Sequence, residues 1–234
     1  MITKQRQQEI LSRIVEEYIK SATPVSSSRI AKDCGLDISP ATIRNDMQIL
    51  TNEGFLSQPH TSAGRIPTDK AYRFFVDKLH REGFFHKKDN LNKKPWIKEQ
   101  EIVKSVQNIT KDLANKSSGL AISYLSVGNL LLKEGWEDIF QEPEFRTVGL
   151  IKEFIDFLEN FEEGIEVLEP SSEIKVYIGK EIGVPGAQDF SIIISECYFP
   201  QQGKGWISIL GPKRMAYRKN IALIDSFKKL IEEF

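Results

Sequence analysis

Arg44, Asn45 and Gln48 lie on the stretch "SPATIRNDMQIL", residues 39–50. On a helix turning 100° per residue they share an outer face with Ala41, while Ile43, Met47 and Leu50 fall within about 60° of one another opposite it. These side-chain types in that arrangement can read base edges. An Arg fork bridges guanine O6 and N7, and an Asn or Gln amide bridges adenine N6 and N7. Ser39 and Thr42 stand at the N-terminal end, where hydroxyls and free backbone N–H groups suit phosphate. A solvated polar face would look the same in isolation, so the neighbouring elements must decide.

The next residues, "GFLSQPHTSAGRIPT", place His60, Thr61, Ser62 and Arg65 around Gly64 in a turn between two short extended segments. Such a basic hairpin can lie against the sugar-phosphate backbone or dip Arg65 into the minor groove. The plainer alternative is a solvated turn in which Gly64 only permits positive φ.

The elements needed to hold these groups are legible. Ile10, Leu11, Ile14, Val15, Tyr18 and Ile19 recur at helical spacing over residues 4–20. Ser26 can cap a short second helix through Asp33, ended by Gly35. Ser39-Pro40 opens the third, because Pro lacks the donor that would be orphaned at the first helical position, and Gly54 closes it. A fourth helix over 68–80 buries Tyr72, Phe75, Val76 and Leu79. Three helices and a hairpin define a winged helix-turn-helix domain over residues 1–84. "FHKKDNLNKKPWIKEQ", charged and broken by Pro95, reads as a linker over 85–100.

Residues 101–234 carry a different pattern. A helix with Ile102, Val103, Val106, Ile109 and Leu113 leads to the strand-like "LAISYLSV". A helix over "EPEFRTVGLIKEFIDFLENF" follows, then the strand-like "IKVYIG", "DFSIIISECYF" and "GWISILG", and a final amphipathic helix from Arg214 onward. Strands adjacent in sequence and flanked by helices imply an α+β domain with a mainly antiparallel sheet. Phe140, Phe145, Phe154, Phe157 and Phe161 read as core, with a dimer surface as a second use.

Composition narrows the function classes. Up to residue 88 there are 14 Lys/Arg against 10 Asp/Glu, and afterwards 18 against 23, a basic part joined to an acidic one. That asymmetry fits a nucleic-acid reader carrying a second module. Only Cys34 and Cys197 are present, far apart, which reads as two unreacted thiols. With no apolar run long enough for a bilayer, a cytoplasmic protein is expected. Enzyme activity is not expected. His60, His80 and His86 have no nucleophile or acid partner motif, and adjacent pairs such as Glu162-Glu163 and Glu232-Glu233 point apart on helix ends. No cofactor or metal is expected either. Gly179, Gly183 and Gly186 lack phosphate-loop spacing, and His60 has no Cys or His at ligand spacing. Lys213, Arg214 and Arg218 read as a solvated or packing cluster.

Longer stretches carry a resemblance. "ILSRIVEEYIKSATPVSS", "LDISPATIRNDMQIL" and "GFLSQPHTSAGRIPTDKAYRFFVD" resemble the N-terminal domain of the heat-inducible transcription repressor family HrcA. "GNLL" (128–131), "PEF" (143–145), "VYIGKE" (176–181) and "ILGPKRMAYRKNIALID" (209–225) are similar to its C-terminal part. The resemblance implies a GAF-like second domain. It also implies a dimer that binds double-stranded DNA at an inverted-repeat operator of heat-shock (chaperone) genes, and a GroE-type chaperonin as a partner that controls it. Family members carry a long middle section with an inserted dimerisation domain, whereas here "SSGLAISYLSVGNLL" runs almost directly across that point. The expectation is therefore a shortened member with a reduced GAF-like domain that dimerises through what remains or on DNA. The competing expectation is a winged-helix regulator whose GAF-like domain senses a small molecule. A third is a protein-interaction module that no longer touches DNA, against which the polar face of residues 44–48 speaks.

Overall fold

The computed structural model of the chain describes residues 5–33, 38–60, 63–86, 102–163, 171–200 and 202–233. They fall into two compact units, Met1–Lys78 and Leu79–Phe234.

The first unit contains α1 (Gln5–Ser21), α2 (Ser27–Asp33), α3 (Pro40–Asn52), a two-stranded hairpin of β1 (Leu56–Ser57) and β2 (Ile66–Pro67), and most of α4 (Asp69–Arg81). The apolar stripe of α1 is fully buried at Ile10, Leu11, Ile14 and Val15. It meets Ile43, Met47 and Leu50 of α3, each burial stabilising the unit by about 1.5–3 kcal/mol. The start of α2 is capped as expected, with the Arg29 amide donating to Ser26 Oγ at 3.2 Å. Its expected end at Gly35 lies outside the described residues, as does Cys34.

The exit from α3 is closed by two backbone bonds. Phe55 N–H reaches Leu50 O at 2.9 Å and Gly54 N–H reaches Thr51 O at 3.0 Å. Gly54 carries φ +77°, the left-handed conformation this helix-ending motif needs. The chain turns there directly into β1, which pairs antiparallel with β2 as Leu56↔Pro67 and Ser57↔Ile66. Val25, from the loop before α2, bridges Arg65 and adds a third, one-residue strand to the wing.

The second unit is built on a five-stranded, wholly antiparallel sheet of β3 (Leu120–Leu125), β4 (Leu130–Glu134), β5 (Lys175–Ile178), β6 (Phe190–Phe199) and β7 (Gly203–Pro212), in the order β4-β3-β7-β6-β5. Helices α5 (Ile102–Ser117), α6 (Trp136–Ile139), α7 (Val148–Glu163) and α8 (Tyr217–Glu232) flank it. Both faces are covered, which is why β6 and β7 read as nearly unbroken apolar runs. Phe190, Ile192 and Ile194 of β6, with Trp206 and Leu210 of β7, join Phe145, Phe154, Phe157 and Phe161 in one core. On the other face Ser191 shares a hydrogen bond with Tyr217 of α8 at 2.8 Å, and the hydroxyls of Thr110 of α5 and Ser123 of β3 share one at 2.7 Å. The result is the α+β architecture expected from the sequence, a winged helix followed by a domain of helices on an antiparallel sheet.

Two local readings change. The sheet has a fifth strand, β4, where the sequence showed none. "LLLKE" has no apolar-polar alternation, and all five residues are half-buried on the sheet edge. A tight turn through Gly128 (φ +81°) and Asn129 (φ +49°) folds it back on β3, at the point where the resemblance implied a missing section. The single helix expected over Glu142 to Phe161 is instead a 3-10 turn, Pro143–Arg146, then a break and α7. Phe145 still reaches the same core from that turn, stacking on Phe190 with ring centres 6.2 Å apart. The basic cluster at the start of α8 serves packing: Arg214 pairs with Glu142 and Glu144, Lys213 with Asp189, and Arg218 lies over the Phe84 ring. Phe84–His86 form a 3-10 turn packed on α8. Beyond it, the expected linker over 87–100 lies outside the described residues.

Candidate nucleic-acid interface

Helix α3 is held at its start by its own sequence. Ser39 is extended (φ −64°, ψ 147°), and its Oγ accepts the Thr42 amide at 3.2 Å while meeting Thr42 Oγ1 at 3.0 Å. Pro40 follows at the first helical position. The two hydroxyls proposed from sequence as phosphate partners therefore also build the cap. From there the helix separates its side chains by face. Ile43, Asp46, Met47 and Leu50 are buried, and Ala41, Arg44, Asn45, Gln48 and Ile49 are exposed.

Asp46 is a site residue the sequence reading missed. It lies on the buried stripe at 2% exposure and accepts from Arg6 Nε at 2.7 Å, Arg6 Nη2 at 3.2 Å and Gln7 Nε2 at 3.2 Å. The carboxylate raises the Arg6 pKa above its ordinary value, chiefly through the hydrogen bond and then through charge. The available signal was position. A carboxylate three residues after Ile43 and four before Leu50 falls on the apolar face, and a buried charge needs a partner. This pair fixes α3 against the first turn of α1.

Among the described residues Arg44 and Asn45 make no side-chain hydrogen bond, and neither Arg44 nor Arg65 pairs with a carboxylate. Arg44, Gln48 and Arg65 line one groove of about 450 Å³ together with Ser26, Ser27, Gln58 and Gly64. Asn45 and Ala41 face outward beside it. His60 is exposed at the wing tip, where the Ala63 amide closes a turn on His60 O at 2.8 Å and Gln58 Nε2 donates to Ala63 O at 3.0 Å. Thr61 and Ser62 lie outside the described residues.

Arg65 does not extend into solvent as a free wing side chain would. Its backbone exchanges both hydrogen bonds with Val25, at 2.8 and 2.9 Å. Gly64 makes that approach feasible, since a Cβ there would sit 2.5 Å from the Val25 carbonyl carbon and oxygen. The side chain then folds back on α3. Nε donates to Thr51 Oγ1 at 3.0 Å and Nη2 to Gln48 Oε1 at 3.0 Å, while Gln48 Nε2 donates to Asn52 Oδ1 at 3.0 Å. Thr51, Asn52 and Ser27 belong to this surface and were not singled out from sequence, and Ser26 was read only as the cap of α2, because only the fold brings them beside residues 44–48.

Chemically the surface offers Arg and amide groups on a rigid helix beside a cationic, hydrogen-bond-rich wing. Among the described residues there is no cluster of three His, Cys, Asp or Glu that could hold a metal. Nor is any helix long and apolar enough to cross a membrane.

A three-helix unit with a capped polar helix and a wing defines a winged helix-turn-helix DNA-binding regulator. Comparison with known proteins gives the family. The profile described as "Winged helix-turn-helix transcription repressor, HrcA DNA-binding" matches residues 2–80, and "HrcA protein C terminal domain" matches residues 61–221. The chain belongs to the HrcA family of heat-inducible transcription repressors. Curated relatives of that name include one from Natranaerobius thermophilus, 29% identical over 321 aligned positions that cover 94% of this chain and 93% of the relative. One from Clostridium perfringens is 26% identical over 330 positions, covering 97% of each. Those alignments are longer than the 234 residues of this chain, so part of each relative has no counterpart here. A solved structure described only as a hypothetical protein, 20% identical and covering 98% of both chains, superposes with a TM-score of 0.83 and shares the fold. The relatives are named repressors rather than enzymes.

Proposed function

We propose that this chain represses chaperone genes in the cytoplasm by binding an inverted-repeat operator as a dimer. The exposed end of α3 enters the major groove of each half-site, and the wing flanks it. Arg44 contacts a guanine edge and Asn45 an adenine edge. Ala41 packs against the bases, and Ser39 and Thr42 lie at the phosphates with their hydroxyls shared between cap and backbone. His60, Thr61 and Ser62 follow the adjacent backbone. The observation that carries this reading is the unengaged Arg44–Asn45 pair on a helix fixed at both ends, beside a wing whose Arg65 faces no carboxylate.

A two-fold operator requires two copies of the reader. Without a counterpart to part of the relatives' length, the second unit or the DNA itself must bring them together, and a GroE-type chaperonin is the partner that controls activity. The alternative in which this unit senses a small molecule is less well supported. The sheet face that could hold a ligand is filled by Phe145, Phe154, Phe157 and Phe161.

The test is fluorescence anisotropy with a labelled inverted repeat from upstream of the chaperone genes, beside a single half-site and a scrambled duplex. Tight binding that weakens steeply with salt and needs both half-sites supports the reading. Equal, weak binding to all three would overturn it. Sedimentation of the free and DNA-bound chain tests the dimer, and a monomer in both states would sink it.

A further inference from the structure

Gln48 is the one amide on α3 whose orientation another element dictates. An amide reads a base edge by presenting an acceptor and a donor in a set order, and a half-turn about its terminal bond reverses that order. On an exposed helix surface both orders are ordinarily available. Here Arg65, which can only donate, faces one side of the amide at 3.0 Å, so that side must be Oε1. The opposite side, Nε2, is taken up by Asn52 Oδ1 at 3.0 Å.

Arg65 is fixed in turn. Its Nε is held by Thr51 Oγ1, which donates onward to Met47 O at 2.8 Å and so accepts from the guanidinium with a settled direction. Its backbone is clipped to fully buried Val25, an approach open only because Gly64 has no side chain. A continuous brace therefore runs from the loop before α2, through the wing, to the exposed face of α3. It leaves three of the five Arg65 N–H donors, one N–H of Gln48 and one lone pair of its oxygen unused.

We propose that Arg65 is a positioning residue for base readout. The wing locks the Gln48 amide in one orientation through Arg65, and this choice fixes which base the fourth outward position of α3 accepts. The inference rests on the reading of α3 as a DNA-contacting helix. It differs from the usual use of a wing arginine, in which the charge binds phosphate and sequence is indifferent.

The two roles separate experimentally. The full chain is used to enrich duplexes from a random-sequence pool, and the enriched duplex becomes the probe beside a scrambled one. Arg65→Lys keeps the charge but cannot bridge Thr51 and Gln48 as a fork does. It should lose about tenfold in affinity for the enriched duplex and little for the scrambled one. The slope of log affinity against log salt should stay unchanged. Gln48→Ala should lose a similar amount, and adding Arg65→Lys to it should lose no more, because both remove the same contact. Gln48→Glu, which keeps an acceptor toward Arg65, should shift the enriched base at that position toward cytosine. Arg65→Lys behaving as wild type would overturn the proposal. So would additive losses, or Arg65→Ala weakening both duplexes equally with the salt slope reduced by about one. A wild-type chain that enriches no sequence would instead remove the DNA reading itself, before any variant is compared.

Discussion

In the second unit, Arg214 is 10% exposed and lies between Glu142 and Glu144, Lys133 meets Glu162, Lys213 meets Asp189, and Tyr217 and Ser191 share a buried bond. On the outer face of α3 in the first unit, the Arg44 and Asn45 side chains have no hydrogen-bond or charge partner among the described residues. The same residue types thus do two kinds of work. Where the polar groups answer one another they fix elements in place, and their burial is tolerable because each charge has its partner. Where they are left unanswered on a rigid helix, their hydrogen-bonding capacity is available to a ligand. The first unit contains both kinds side by side, since Asp46 on the inner face of α3 is saturated by Arg6 and Gln7. One helix is anchored on one side and open on the other.

This contrast can be broken by substitution, and the largest effect should come from the packed side. Phe157→Ala removes a fully buried ring that stacks on Phe190 with centres 5.2 Å apart, and should cost about 3–5 kcal/mol in urea unfolding. A loss under 1 kcal/mol would mean the face is loosely filled and could admit a ligand. Arg214→Ala should cost about 2–3 kcal/mol, because two half-buried carboxylates lose their common partner. Its effect on DNA affinity should be negligible once the protein is folded. Ser39→Ala should cost about 1 kcal/mol of stability through the lost cap. Its additional effect on DNA binding, read at a temperature where both proteins are folded, separates the phosphate contact from the cap.

Much of this contrast was legible before the structure. Ser39-Pro40 and Gly54 are local signals that act within a few residues, so the ends of α3 and the identity of its faces followed from spacing alone. The apolar stripes of α1 and α4 were equally plain. What could not be read depends on residues distant in sequence. Arg65 reaches Thr51 and Gln48 only because Gly64 lets the wing lie on Val25, a contact forty residues of chain folding must first create. Asp46 was overlooked because its partners sit at the far end of the unit in sequence. The edge strand β4 has no alternation to reveal it, since half-buried leucines serve both its faces. The aromatic core drew on Phe145 from a turn rather than a helix, so its residue list was foreseeable although its element was not.

Whether the unengaged groups on α3 read base edges, as proposed, is decided by the affinity of Arg44→Ala and Asn45→Ala for the inverted-repeat and scrambled duplexes, measured beside wild type. Each variant should lose about 1–3 kcal/mol on the inverted repeat and much less on scrambled DNA, with stability within about 0.5 kcal/mol of wild type. Equal losses on both duplexes, or none on either, would contradict that proposal.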